Sequence, residues 1–541
     1  MTIDMLQDDV LLEIFNFYRR LVSRHDTMWK WQKLLHVCRR WRYIVLASPS
    51  RLDLHIACNR STPTRKLLDI WPPFPISISC YPWGSQGIRG NHNIFAALQQ
   101  RNRISHINFS GITRMEMEQF AAMMDEPFPA LTDLRVRTLE TDLGPAGKAE
   151  LPDSFLGGSA PCLQSFVLEG TEFPALPNLV LSATHFQYLH LLRFPDAHVR
   201  YISPESMVTF LLPLHNLKAL TLGFAFGPRP SQMSPPPLTH ALLPSLTEFQ
   251  FHGTSEYLLD FIARIDTPML DSLQMTLTFG FTPNLQFHKF IDRTDRLKPF
   301  IQAEVYLRSD EVQAIFKSPA NPGLDITCEM SGPLDHMMRL YERLRTIPSQ
   351  VERLELCWED WEELDFSIEY DWNEDLYDPL WPQLLHPFVS VRSLYVSEKL
   401  GPFVAYTLAN PTGESVTEVL PRLENLFLEG LGSSGFVEET IKPFVSARQL
   451  SGHPVTVRRW EQKSAFGSSS GGLPFRSCGH LIFVSDCAPR QFELQYVQCP
   501  APRHRVWTCL HVHTRCLYLC VAYIYGYSYI AQLTAIPKSA F

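Results

Sequence analysis

Apolar residues recur along this chain in one motif: apolar, two residues, apolar, one residue, apolar. It stands at Ile104/Ile107/Phe109, Leu131/Leu134/Val136, Leu163/Phe166/Leu168, Phe186/Leu189/Leu191, Leu217/Leu220/Leu222, Leu246/Phe249/Phe251 and Leu270/Leu273/Met275. It blurs around Ala303/Val305/Leu307 and Leu324/Ile326. It returns at Val351/Leu354/Leu356, Val391/Leu394/Val396 and Leu423/Leu426/Leu428. The last two positions of each triplet alternate, as the side chains of a half-buried strand do. Most triplets are followed by stretches predicted to be helical or irregular, among them Met115 to Met124, Glu256 to Ile265, Leu334 to Ile347 and Val437 to Gln449.

A strand plus a helix, repeated, with Leu-rich strands, predicts an α/β leucine-rich-repeat solenoid. The spacing is irregular: Leu163 to Phe186 is 23 residues and Val351 to Val391 is 40. The Asn or Cys that turns the chain after each strand in regular repeats is mostly absent, so the expectation is a degenerate array. The competing architecture is an ordinary α/β domain. A dozen or so triplets exceed the roughly 5–6 strands of a typical sheet, which favours the solenoid.

At the N-terminus, Leu6, Val10, Ile14 and Phe17 share one helical face, and Leu34, Val37, Cys38 and Trp41 repeat that pattern. Two short amphipathic helices cannot bury both faces in so small a unit, which leaves apolar surface for a partner. The stretch resembles an F-box in Leu6, Asp9, Val10, Leu11, Ile14 and Phe15, then in Val37-Cys38-Arg39-Arg40-Trp41-Arg42 followed by Ser48-Pro49. Leu52-Asp53-Leu54 and the run Arg65 to Ile76 are similar to the large F-box family of basidiomycete fungi. The resemblance implies a three-helix F-box docked on the Skp-type adaptor of a cullin–RING ubiquitin ligase, with the rest of the chain recruiting a target protein. Under it, Leu6, Val10, Leu11, Ile14 and Phe15 supply the first adaptor-binding face, and Val37, Cys38 and Trp41 the second. Gln7 departs from the Pro that normally follows the leading Leu, and Arg19 to Lys30 is longer and more charged than the usual link. Without the resemblance, the same residues read as a small helical cap on a larger domain.

The chain divides into an F-box (1–58), a connector (59–91), the array (92–463) and a tail (464–541). Pro63, Pro72, Pro73, Pro75 and Pro82 exclude a long helix from the connector, where the alternating Ile76 to Cys80 suits a first strand. The array closes near Val455 to Trp460. Gly467-Ser468-Ser469-Ser470-Gly471-Gly472 is a flexible linker by composition. The tail beyond it holds six of the 12 cysteines and no triplet, and reads as a flexible or spurious appendage. Cys516 to Ile536 lacks charge and is long enough to span a bilayer. Its Tyr518, Tyr523, Tyr525, Tyr527, Tyr529 and Gln532 argue against a membrane anchor.

A chain of 541 residues exceeds one ordinary core, and its 45% hydrophobic and 19% charged residues suit a globular protein. A net charge of −8 without a basic stripe argues against nucleic acid. No apolar leader follows the N-terminus. Cys38, Cys58, Cys80, Cys162, Cys328 and Cys357 are scattered and read as buried thiols of a reducing compartment, cytoplasmic or nuclear. No P-loop, dinucleotide fingerprint or zinc-protease motif occurs, and Gly467 to Gly471 fits a nucleophile elbow only by repetition. His511, His513, Cys516 and Cys520 miss the structural zinc spacings. We therefore expect neither an enzyme nor a cofactor or metal. A ligase receptor needs no catalytic residues, since it contributes proximity to chemistry on another protein.

Trp358 to Asp378 is the sharpest local feature, with ten acids, Trp358, Trp361 and Trp372, and no Lys or Arg. It reads either as a solvated acidic loop or as a docking surface for a basic target. In the second case Trp358, Glu359, Asp360, Trp361, Glu362 and Glu363 would combine anchor area with cation–π contacts. Pro235-Pro236-Pro237 reads as a stiff loop.

Overall fold

A computed structural model describes residues 6–21, 34, 36–47, 54–58, 64–71, 73–80, 91–138, 151–152, 154–170, 179, 182–183, 185–193, 202–224, 240–278, 285–308, 311–319, 321–329, 347–358, 380–409, 419–429, 435–460, 507–510 and 519–522. The chain forms two units, Met1–Lys463 and Ser464–Phe541.

The first unit is a mixed α/β structure whose triplets lie on adjacent strands of one sheet. Its strands are β1 (Leu54–Ala57), β2 (Ile76–Cys80), β3 (Ile104–Ile112), β4 (Asp133–Thr138), β5 (Ser165–Glu169), β6 (Tyr188–Arg193), β7 (Ala219–Phe224), β8 (Ala241–Leu242), β9 (Glu248–Thr254), β10 (Ile265–Asp266), β11 (Ser272–Thr278), β12 (Gln302–Leu307), β13 (Glu311–Lys317), β14 (Gly323–Glu329), β15 (Arg353–Trp358), β16 (Ser393–Val396), β17 (Asn425–Glu429) and β18 (Thr456–Trp460). Sixteen form an open sheet in the order β1-β2-β3-β4-β5-β6-β7-β9-β11-β14-β13-β12-β15-β16-β17-β18, while β8 and β10 pair separately. Every pairing in the large sheet is parallel except the two made by β13.

The triplets are legible because their residues line up in register. Leu134, Phe166, Leu189, Leu220, Phe249 and Leu273 meet across successive strands and are fully buried. The row continues through Leu354, Leu394 and Leu426 beyond β12. Burying each such side chain stabilises the fold by about 1.5–3 kcal/mol. The pattern blurs where the chain changes direction. After β11 it crosses to β12, then returns through two hairpins to β14. The second hairpin requires Gly323, whose φ is +83° and where a Cβ would lie 2.1 Å from the Phe316 carbonyl oxygen.

The described helices are α1 (Asp8–Leu21), α2 (Arg39–Leu46), α3 (Thr64–Ile70), α4 (Asn91–Leu98), α5 (Arg114–Met123), α6 (Pro204–Leu211), α7 (Ser255–Ile262), α8 (Leu285–Arg293), α9 (Leu380–Leu385), α10 (Gly401–Ala409) and α11 (Gly435–Leu450). A capping box starts α5: Thr113 Oγ1 accepts the Glu116 N–H at 3.3 Å and Glu116 Oε2 accepts the Thr113 N–H at 2.8 Å. Ser203 and Pro204 start α6. Phe120 of α5 packs 4.9 Å from Phe109, and Phe261 of α7 packs 5.6 Å from Phe249. One face of the sheet thus builds the core, and the alternate residues of each strand point to the other face. The expected helix from Leu334 lies almost wholly outside the described residues, as do Pro235 to Pro237.

Three expectations change. Residues 54–57, assigned to the N-terminal segment, join the sheet as β1 and pair with β2. Leu34, Val37 and Cys38 do not continue the helical face of Trp41, because Cys38 is extended (φ −156°, ψ 173°) and caps α2. Its Sγ accepts the Trp41 N–H at 3.4 Å. Cys38 and Cys162 are exposed, whereas Cys58, Cys80, Cys328 and Cys357 are buried as expected. Burial and the neighbouring Glu116 push the Cys80 thiol up to about 12, which keeps it protonated.

In the second unit, β19 (Trp507–Leu510) and β20 (Leu519–Ala522) pair antiparallel. The Gly/Ser linker, His511, His513 and Cys516 lie outside the described residues. Among the described residues no helix is long and apolar enough to cross a membrane.

Candidate partner-binding surfaces

Helices α1 and α2 share a cluster of their own, made of Leu11, Phe15, Ile44 and Val45, with Leu6, Leu12, Ile14, Leu34 and Trp41 packed around it. None of these belongs to the sheet core. Phe15 is 7% exposed and its ring lies 4.7 Å from that of Trp41. Leu11 is fully buried. These two residues therefore hold the helices together. Val10 (43%), Val37 (58%) and Cys38 are exposed, while Leu6, Ile14 and Trp41 are half-buried. The apolar side chains of the pair that keep surface in contact with solvent thus include Leu6, Val10, Ile14, Val37 and Trp41. Ile44 and Val45 escaped the sequence reading, although they stand three and four residues beyond Trp41 and so extend its face.

Arg40 ties down the start of α1. Its Nε and Nη2 lie 3.0 and 2.7 Å from Asp8 Oδ1, and Nη2 also donates to the Leu6 carbonyl. Asp8 and Asp9 further suit the positive end of the helix dipole.

Trp358 closes β15 and is half-buried against the sheet core, its backbone N–H donating to Ser397 Oγ at 3.0 Å. Glu359, Asp360, Trp361, Glu362 and Glu363 lie outside the described residues.

The non-core face of the sheet carries three constellations. Around β12, buried Glu304 accepts from Gln302 Nε2 at 2.8 Å, from Tyr306 Oη at 3.2 Å and from Lys317 Nζ. Glu355 stands opposite it in register, and burial, then Glu304, raise its pKa. Burial and Glu304 also push the Tyr306 hydroxyl up. Glu304 is satisfied by these donors, so the group reads as a structural network. A second constellation joins β4, β5 and β6, where Glu169 Oε1 lies 2.9 Å from both Arg137 Nε and His190 Nε2. On β9, burial and then His190 pull the pKa of His252 from 6.5 to about 4, leaving it neutral. The third is aromatic. Tyr395 and Phe427 stack with centroids 4.3 Å apart, Trp460 meets Tyr395 edge-on at 5.5 Å, and the Arg353 guanidinium lies 4.2 Å from the Tyr395 centroid. The sequence carried a signal for it: aromatic residues stand where polar ones are expected, in Leu394-Tyr395-Val396 and Leu426-Phe427-Leu428.

Among the described residues no three His, Cys, Asp or Glu side chains are grouped to hold a metal ion. A scan against protein-family models and a search of the curated proteins both return no match to the chain.

Proposed function

We propose that this chain is the substrate-recognition subunit of a ubiquitin ligase assembled from a Skp-type adaptor and a cullin. In this reading α1 and α2 are the adaptor-binding part of an F-box. The sheet with its helices is an irregular leucine-rich-repeat solenoid that holds the target, in the cytoplasm or nucleus. The observation that carries the reading is the separate four-residue cluster of the helix pair, with Val10 and Val37 left open beside it. Strands laid down in chain order on both sides of the β12–β14 reversal support the solenoid, in which each unit stacks chiefly on its neighbours. The expected target contacts at 359–363 add no support, since they fall outside the described residues.

A second reading is a solenoid scaffold that assembles no ligase. Gln7 and the inward-facing Leu11 and Phe15 favour it, because they reduce the surface offered to an adaptor. Capture of purified Skp-type adaptor separates the two. Wild type should capture it, and Val10→Asp with Val37→Asp should lose capture while the chain keeps its helical signal, as both positions are exposed. Trp41→Ala should weaken capture as well. Equal capture by the double variant removes the anchor assignment, and no capture by wild type leaves the scaffold.

A further inference from the structure

Strand β18 ends the large sheet, and its one strand neighbour among the described residues is β17. The Thr456 N–H donates to the Glu424 carbonyl at 2.9 Å. In a parallel pair alternate residues turn their backbone groups to the same side, so Thr456, Arg458 and Trp460 face β17. The N–H and C=O groups of Val457 and Arg459 point the other way, and among the described residues they have no hydrogen-bond partner. The two ends of the sheet differ in this respect. β1 buries Leu54 and Ile56, whereas Thr456, Arg458 and Arg459 of β18 are exposed. Edge strands are commonly shielded by a bulge, a proline, a covering element or charge. β18 pairs over five residues without a register shift, holds no proline, and carries only the charge of its two arginines.

Val457 and Arg459 stand opposite Leu426 and Leu428, which places both on the core side of the strand. Val457 is half-buried against the core. Arg459 is exposed and has no ion pair, hydrogen bond or ring contact among the described residues. Arg458 lies on the outer side, over Phe427 and beside Glu429, and so selects little.

We propose that β18 takes up an extended segment of a partner protein as a further strand. The segment pairs its backbone with Val457 and Arg459. On the core side it sets an apolar residue beside Val457 and a carboxylate beside Arg459, two positions apart. Backbone hydrogen bonds supply the affinity and these two side chains the choice of segment. A second copy of this chain fits poorly, because it would bring to the seam a strand with two arginines and no acid. Only the naming of this partner as a ubiquitination target rests on the receptor reading. β18 packs on the sheet core and not on the α1–α2 cluster.

The test is fluorescence anisotropy of the full chain with a labelled Thr-Val-Thr-Glu-Thr peptide flanked by Gly-Ser, and a matched peptide with Lys in place of Glu. Two further peptides carry N-methyl groups, one on Val and Glu, the other on the three Thr. An added strand turns alternate N–H groups to β18, so one pattern should abolish binding and the other preserve it. Which one it is reports the direction of the strand. Arg459→Pro removes an N–H that makes no bond to β17 and should abolish binding with little change in thermal midpoint. Wild type should favour the Glu over the Lys peptide about three- to fivefold, and Arg459→Glu should reverse that preference, both differences shrinking with added salt. Arg458→Gln should leave the preference unchanged. Failure of the Glu peptide to bind, binding that survives both methylation patterns, or a wild-type preference in Arg459→Glu overturns the proposal. A chain that sediments as a dimer, takes up no peptide and dissociates in Arg459→Pro also overturns it, and assigns the edge to a second copy. Adaptor capture by the same variants is read in parallel. Peptide binding without adaptor capture sinks the receptor reading and leaves strand addition standing, and the converse sinks strand addition alone.

Discussion

Phe15→Ala tests whether the helix pair and the sheet are energetically separate. Phe15 is 7% exposed and rests on Trp41 at 4.7 Å. Truncating a buried Phe costs about 3–5 kcal/mol, and only three buried residues of that cluster then remain. The Arg40–Asp8 ion pair is partly exposed on both sides, at 37% and 54%, and contributes about 1 kcal/mol at most. Helices of 14 and 8 residues do not persist alone. Hydrogen exchange read by mass spectrometry should show Asp8–Leu21 and Arg39–Leu46 losing protection by a factor of about 150 to 5,000. The sheet strands should keep theirs, since no core residue is shared. If the pair binds a Skp-type adaptor as proposed, adaptor at about a hundred times its Kd returns about 2.7 kcal/mol and restores much of the protection. Loss of protection in β4 to β11 alongside the helices, or unchanged helices, would refute the separation.

Gly323→Ala should cost more than about 2 kcal/mol in urea unfolding, because φ is +83° and the new methyl would meet the Phe316 carbonyl oxygen at 2.1 Å; an unchanged midpoint would show that the hairpin adjusts freely. Thr113→Ala removes the acceptor of the α5 capping box and should cost about 1 kcal/mol by the same assay. His252→Gln addresses pH. The native pKa of about 4 lies below the ordinary 6.5, so between these values the unfolded chain takes up a proton that the native one refuses. Stability from this group is complete above 6.5 and falls as pH drops toward 4, by roughly 3 kcal/mol in all. The Gln variant should lose less stability than wild type between about pH 7.5 and about pH 4.5; parallel losses would show that His252 does not drive the change.

Much of the sheet was legible because a strand with one buried face writes its periodicity directly into the sequence. The residues of the clear triplets are buried, and those of adjacent triplets meet in register. β13 escaped notice although Val312, Ala314 and Phe316 alternate cleanly. It runs antiparallel to both of its neighbours, and it lacks the leading apolar residue and the trailing helix that define the motif. The site was less legible. Periodicity identified Leu11 and Phe15 as apolar helical positions, but it could not tell which side of a two-helix unit faces inward. The aromatic platform was missed for a different reason. Tyr395, Phe427 and Trp460 are spread over 66 residues of sequence and are brought together only by strand pairing.

The irregular spacing and the regular register have one physical origin. Lengthening a repeat from 23 to 40 residues raises the loop-closure cost by only about 0.5 kcal/mol. A one-residue slip of β15 would instead turn Leu354 and Leu356 to the outer face and Glu355 toward the core. Exposing the two leucines alone costs about 3–6 kcal/mol, before the charge of Glu355 is considered. Strand register is thus held roughly ten times more strongly than connection length. Connections can lengthen, shorten or reverse, as at β12 to β14, while the ladder of side chains stays aligned. That alignment is what sets Tyr395 against Phe427 and fixes the distance between Arg353 and Arg458. Variation in the connections therefore leaves the spacing of side chains on the outer face unchanged, because the core enforces it.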